Sequence, residues 1–247
     1  MTTIENLVPD QSFAAAVVLA EGVRVAAAPA ELGRLVDELA ARRALEDFPP
    51  APVKDAVRGL LRRGGFKPTG RNKPASEYLA QAAREGRFPR INNLVDVNNL
   101  LSLESGLPIS LLDLRAFPGP AWLRRGRPGE RYVFNSAGQE IELEGLICVC
   151  AGGKEIRPAG TCGTSDTAGA GEGEQGAPLG NAVKDSMAAK LKDDTTAVIG
   201  VVYASLDCAP GRELAALAGR FAALLERFGG ASSVRTVLLG SGRPDKR

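Results

Sequence analysis

Between Gly65 and Leu114 the sequence runs GFKPTGRNKPASEYLAQAAREGRFPRINNLVDVNNLLSLESGLPISLLDL. Its second half, from Ile91 to Gly106, predicts a helix in which Leu94, Val97 and Leu101 share one stripe. Val95, Leu100 and Leu103 make that helix apolar around most of its circumference, the signature of an element buried on most sides. Asn92, Asp96 and Asn99 fall at i, i+4 and i+7 on a second stripe, so this polar row is buried with it or lines a cleft. Each buried polar group left without a hydrogen bond costs about 1–3 kcal/mol. The row therefore either fastens neighbouring loops or lines a substrate pocket. Past Gly106, Pro108 sets the exit geometry of the helix.

Upstream, Pro74 or Ser76 begins a helix that Gly86 ends, and Phe66–Pro74 is a loop. Val53–Arg63 reads as an amphipathic helix with Val53, Val57, Leu60 and Leu61 inward and Lys54, Arg58 and Arg62 in an outward basic stripe. From Val53 to Arg90 ten Lys/Arg face three acids, in a chain whose net charge is only +2. A second cluster, Arg115, Arg124, Arg125, Arg127 and Arg131, is opposed nearby only by Glu130. Such segregation is the footprint of a phosphate-rich partner or of a solvated basic face.

Farther out, Phe13–Ala28 predicts one or two strands with a turn at Glu21-Gly22, and Ala30–Ala44 a helix. Tyr132–Phe134 and Glu140–Leu143 read as a hairpin, Leu146–Ala151 and Thr195–Ala204 as strands, Arg212–Phe228 as a helix, and Val234–Leu239 as a last strand. Residues 158–181 are Gly/Ala/Thr-rich without apolar period and read as a flexible insertion; the tail from Ser241 reads as frayed. Mixed elements without strict alternation indicate an α+β fold: one domain over residues 1–247, its core at about 13–157 and 182–240, with a mixed or mostly antiparallel sheet packed by helices.

The chain contains no histidine, which excludes Ser-His-Asp and Cys-His nucleophilic machinery and every His-containing zinc site. Its four cysteines form no CxxC pair; Cys148 and Cys150 alternate on a strand and read as small hydrophobes, with a redox role the alternative. No metal or cofactor is expected. No apolar run reaches the length of about 18 residues that a membrane span needs, and no signal peptide is read, so the expected location is the cytoplasm.

The segment INNLVDVNNLLSLESGLPISLLDL resembles the tRNA-editing module, the B3/B4 domain, in the β subunit of phenylalanyl-tRNA synthetase. The matching positions are Ile91, Asn92, Asn93, Val95, Asp96, Val97, Asn99, Gly106, Pro108 and Asp113. GRNKPASE, Gly70–Glu77, is similar to freestanding relatives of that module, and the similarity continues thinly to Ala204. The family hydrolyses tyrosine mistakenly esterified to phenylalanine-specific tRNA. The resemblance implies that Asn98, Asn99 and Pro108 wall the amino-acid pocket. Ser110 stands where the synthetase module usually has a His, and the glutamate that takes part in tyrosine recognition has no clear match in SMAAKLKDDT. Lys184, Asp185, Ser186 and Lys190 are the polar residues nearest that place.

The resulting expectation is a freestanding editing-like domain, a possible aminoacyl-tRNA deacylase and no complete ligase, that takes the 3′ aminoacyl end of a tRNA, with neither DNA nor a membrane as partner. Its substrate-binding set is Asn92, Asp96, Asn98, Asn99, Pro108, Ser110, Asp185 and Ser186, with Asn99, Ser110 and Asp96 positioning the water. Arg58, Arg62, Lys67, Arg71 and Lys73 would contact RNA phosphates. The alternatives are a non-catalytic RNA-binding module, and an amino-acid-binding protein or small-molecule hydrolase that reuses the pocket.

Overall fold

The computed structural model describes residues 2–152, 176–209 and 211–240. Its centre is the nine-residue strand β2, Phe13–Glu21, whose side chains are buried on both faces. Because a strand alternates its side chains, Ala14, Ala16, Val18 and Ala20 point one way and Phe13, Ala15, Val17 and Leu19 the other, into two separate apolar clusters. A strand covered on both faces reads as a continuous apolar run, which is what FAAAVVLA shows.

β2 pairs antiparallel with β9, Ala197–Ser205, and with β10, Ser233–Leu239. β3, Ile109–Asp113, extends the sheet on the far side of β9, giving the order β10-β2-β9-β3. Helices α1 (Ala30–Ala44), α4 (Asn93–Ser105) and α5 (Gly211–Gly229) cover one face of this sheet. Against the other face lies a second sheet in the order β1-β4-β7-β8, made of Ile4–Asn6, Ala121–Arg125, Ile147–Ala151 and Pro178–Asn181. Only β1 with β4 is parallel there. Helices α2 (Ala51–Arg63) and α3 (Ala75–Arg84) and the hairpin β5–β6 (Arg131–Val133, Glu140–Glu142) complete the described elements. The fold is thus α+β and mostly antiparallel, with two four-stranded sheets where a single sheet was expected.

Besides β8, three strands escape the sequence patterns. β1 is three residues long, β3 is five residues beginning one residue after Pro108, and β4 ends in two arginines. β1 is shorter than the roughly four residues over which alternation is counted, and ISLLD and AWLRR do not alternate apolar with polar residues. Residues 153–175, which include most of the expected insertion, lie outside the described residues, as does the tail 241–247. The insertion is shorter than expected at its C-terminal end, because Pro178–Asn181 is the strand β8 paired to β7.

Helix α4 begins at Asn92, whose Oδ1 accepts the Val95 N–H at 2.9 Å, and ends at Gly106 with φ +76°. At Gly106 a Cβ would lie 2.9 Å from Pro49 Cβ, so both backbone angle and space call for glycine. This fixes the register in which the following strand, β3, leaves α4.

Candidate functional site

The face of α4 that carries Asn92, Val95, Asn98 and Asn99 forms one wall of a cavity of about 1180 Å³. Ile109 and Leu111 of β3, the loop residues Arg71, Asn72 and Lys73, the tip of the β5–β6 hairpin, and Val183–Asp185 with Lys190 form the rest. Such a volume lies just above the range of about 300–1,000 Å³ usual for small-ligand sites.

The polar row of α4 divides between the two roles that the sequence leaves open. Asn93 and Asp96 fasten loops: Asn93 accepts from the Ala26 N–H and donates to the Arg24 and Phe228 carbonyls, each within 2.9 Å. Asp96 is 1% exposed, accepts from Arg90 Nε and the Ile91 N–H at 2.9 Å each, and is not among the cavity residues. It is therefore corrected from a substrate-binding and water-positioning residue to an internal anchor. One helical step of 100° carries it off the face shared by Asn92, Val95 and Asn99.

Asn98 and Asn99 line the cavity. Asn98 Nδ2 donates a long bond of 3.4 Å to the Ile109 carbonyl, while its buried Oδ1 has no partner among the described residues. A buried acceptor in that condition is a cost that an N–H or O–H group entering the cavity would recover. Asn99 makes no side-chain hydrogen bond among the described residues and is likewise buried, 8% exposed.

Pro108 and Ser186 stand elsewhere. The Pro108 carbonyl accepts the Tyr203 N–H at 3.0 Å, and Ser186 Oγ caps a short 3₁₀ turn by accepting from Ala188 N–H at 3.2 Å. Neither lines the cavity, so both are corrected to supporting positions. Ser110 is fully buried and is not a cavity residue either, but it holds one that is. Its hydroxyl donates to Asp185 Oδ1 at 2.6 Å and lies 3.1 Å from the Tyr203 hydroxyl. Burial pushes the Asp185 carboxyl up to about 7, against the opposing pull of the Ser110 hydrogen bond. Gly180 of β8 makes room for this contact, for a Cβ there would stand 2.7 Å from Asp185 Oδ1 and 3.2 Å from Ser110 Oγ.

Around this pair lies a network that the sequence did not disclose. Tyr132 donates to the Lys184 carbonyl at 2.6 Å and accepts from Asn181 Nδ2 at 2.5 Å; Asn181 Oδ1 holds the Val183 and Lys184 N–H groups at 2.7 and 3.0 Å. Burial drives both phenols, Tyr132 and Tyr203, far above their usual range, so they stay protonated. Only the alternation of Tyr203 along β9 could have hinted at its direction.

Arg71, Lys73, Lys184 and Lys190 line the cavity together, with Glu140 on the opposite rim. Lys184 Nζ sits 4.0 Å from the centroid of the Phe134 ring, and burial and the charge of Arg71 lower its pKa. Of the five expected RNA contacts, Arg71 and Lys73 are here and Lys67 lines a smaller neighbouring groove. Arg62 is exposed. Arg58 is corrected: its guanidinium grips Glu77 of α3 through two bonds of 2.7 and 2.6 Å, so a helix-to-helix ion pair takes the donors a phosphate would need. The second basic cluster is likewise occupied, since Arg115 pairs with Asp113 and Asp194, Arg124 with Glu130, and Arg125 with Asp10. Two of those acids, Asp194 and Asp10, are distant in sequence, which is why local charge counting overstates the cluster.

Cys148 and Cys150 are buried, their thiols pushed up by burial. Among the described residues no group of acids and cysteines could hold a metal ion, and no helix is long and apolar enough to cross a membrane.

Residues 66–170 match the family model of the B3/4 domain. Its curated relatives are phenylalanine–tRNA ligase beta subunits. That of Xanthomonas euvesicatoria pv. vesicatoria is 30% identical over 90 residues, 36% of this chain and 11% of the relative. That of Carboxydothermus hydrogenoformans is 35% identical over 96 residues, 38% of this chain and 12% of the relative. That of Nitrobacter winogradskyi is 27% identical over 167 residues, 66% of this chain and 20% of the relative. Among solved structures, an N-terminal fragment of the phenylalanyl-tRNA synthetase beta subunit from Pyrococcus horikoshii aligns with TM-score 0.47 and 11% identity, over 95% of this chain and 50% of that one. The matched segments span a fifth or less of the curated ligases.

Proposed function

We propose that this chain is a cytoplasmic editing domain that hydrolyses an amino acid esterified to the wrong tRNA, tyrosine on phenylalanine-specific tRNA being the first case to try. The observation that carries the proposal is the buried Asn98 Oδ1, without a partner among the described residues, beside Asn99 in a cavity that Arg71, Lys73, Lys184 and Lys190 also line. Amides that can bond a substrate hydroxyl discriminate strongly against an analogue lacking it. The cations suit the phosphates next to an RNA 3′ end. Ester hydrolysis asks for a positioned water and the neighbouring ribose hydroxyl more than for a protein nucleophile, so a chain without histidine is equipped for it.

The test is deacylation of a panel of charged tRNAs by the wild type and by Asn99→Ala. The expected result is turnover of one ester, reduced about 100-fold or more in the variant, with tRNA affinity changed less than about twofold. An equal rate in the variant would remove Asn99 from the pocket. No turnover across the panel overturns the hydrolase; bound tRNA would then leave a binding module, and absent affinity a small-molecule site.

A further inference from the structure

We propose that Asp185 is the general base of this site, taking the proton from the hydrolytic water, and that Ser110 and Tyr203 hold its carboxylate in place. The inference rests on the hydrolytic reading above and adds to it the residue that moves the proton. Asp185 is the carboxylate on the inner wall of the cavity, whereas the only other acid lining it, Glu140, is on the exposed hairpin. Its two oxygens are differently employed. Oδ1 accepts the Ser110 hydroxyl at 2.6 Å, and Ser110 in turn lies 3.1 Å from the Tyr203 hydroxyl, so the chain of O–H groups runs from β9 through β3 to the carboxylate. Oδ2 accepts no side-chain hydrogen bond among the described residues, and Asp185 lines the cavity half-buried, where a water can reach it.

The support is rigid because it comes from paired strands. Ser110 stands opposite Val201 in the β3–β9 register, Tyr203 donates its N–H to Pro108, and Gly180 of β8 leaves the space that the carboxylate fills. The groups facing Asp185 are Ser110 on β3, Tyr203 on β9, the backbone at Asn181 and Leu111, and Lys190; Tyr132 lies within electrostatic reach. Ser110, those backbone groups and Lys190 favour the charged form, and burial opposes them, placing the titration at about 7. A base poised there is half-deprotonated at neutral pH and still basic enough to accept a proton.

The step balances within the site. Oδ2 takes a proton from water as the water oxygen bonds to the ester carbonyl carbon, giving a tetrahedral oxyanion. Its collapse breaks the bond to the ribose oxygen, which receives the proton from Asp185, releasing the amino acid and restoring the carboxylate.

The experiment is the pH profile of kcat/KM on the ester identified by the panel, for the wild type, Asp185→Asn and Ser110→Ala, each checked for unchanged thermal melting shape. The wild type is expected to rise through about pH 7, Asp185→Asn to lose about 100-fold or more and its inflection, and Ser110→Ala to lose only part of the activity with the inflection moved to higher pH, since its hydrogen bond favours the carboxylate. A merely structural Ser110 would leave the inflection where it is, and that result overturns the positioning role. An active wild type with an equally active Asp185→Asn overturns the base while leaving the editing reading intact. Inactivity of the wild type toward every ester overturns both.

Discussion

At the scale of single residues, Asp185 costs the fold stability in the form the proposed reaction needs. Its folded titration lies at about 7 against an ordinary value of 3.8, so the folded state holds the proton more tightly than the unfolded chain does. The stability from the protonated carboxyl is complete below pH 3.8 and is lost as pH rises through about 7. Denaturant midpoints of the wild type are therefore expected to carry a component falling across that window and level above it. Asp185→Asn should lack the component; an identical pH dependence in both proteins would show that the carboxyl is not perturbed. The residue's importance could not be read from its neighbours in VKDSMAA, because burial and the Ser110 bond are set by strands some 75 positions away in sequence. Asn99 was legible because it sits on a helix with countable periodicity, whereas Asn98 came only from the family resemblance. Asp96 misled for the same reason, for its polarity is equally visible while its partner, Arg90, is visible only in space.

At the scale of elements, the helices that the sequence announces are recovered nearly to the residue, Ala30–Ala44 among them, whereas short strands such as β1 and β4 are not. The difference is physical: a helix closes its own hydrogen bonds within four residues, but a strand's pairing lies with a remote segment. The contact between α5 and its sheet has a comparable hidden requirement. Gly200 sits mid-strand in β9, where glycine is ordinarily a weakness, and a Cβ there would meet the Phe221 ring at 2.5 Å. Gly200→Ala is expected to lower stability by about 1–3 kcal/mol through overpacking, measured as a lower urea midpoint at unchanged m-value. A neutral substitution would mean that α5 can shift freely over the sheet.

At the scale of the whole molecule, pairing thins the basic surface. Arg58, Arg63, Arg87 and Arg90 are each bound to an acid, and among the expected contacts Arg62, Lys67, Arg71 and Lys73 have no carboxylate partner among the described residues. If those four neutralise RNA phosphates, log affinity should fall with log salt at a slope of about −3 to −4, and Arg71→Ala should flatten it by nearly one. A slope near zero would assign these residues to solvation alone. Arg58→Gln is expected to leave the slope unmoved, because Glu77 already holds that guanidinium.

The cavity walls come from the 71–73 loop, α4, β3, the β5–β6 hairpin and the 183–190 segment, stretches separated by more than a hundred residues of chain. The cavity consequently has no counterpart in the unfolded ensemble. Whatever fills it is a ligand of the native state alone, and at a hundred times its dissociation constant it adds about 2.7 kcal/mol to the unfolding free energy. The substrate would thus act as a thermodynamic clamp across α4, β3 and the β5–β6 hairpin, whether or not it is turned over.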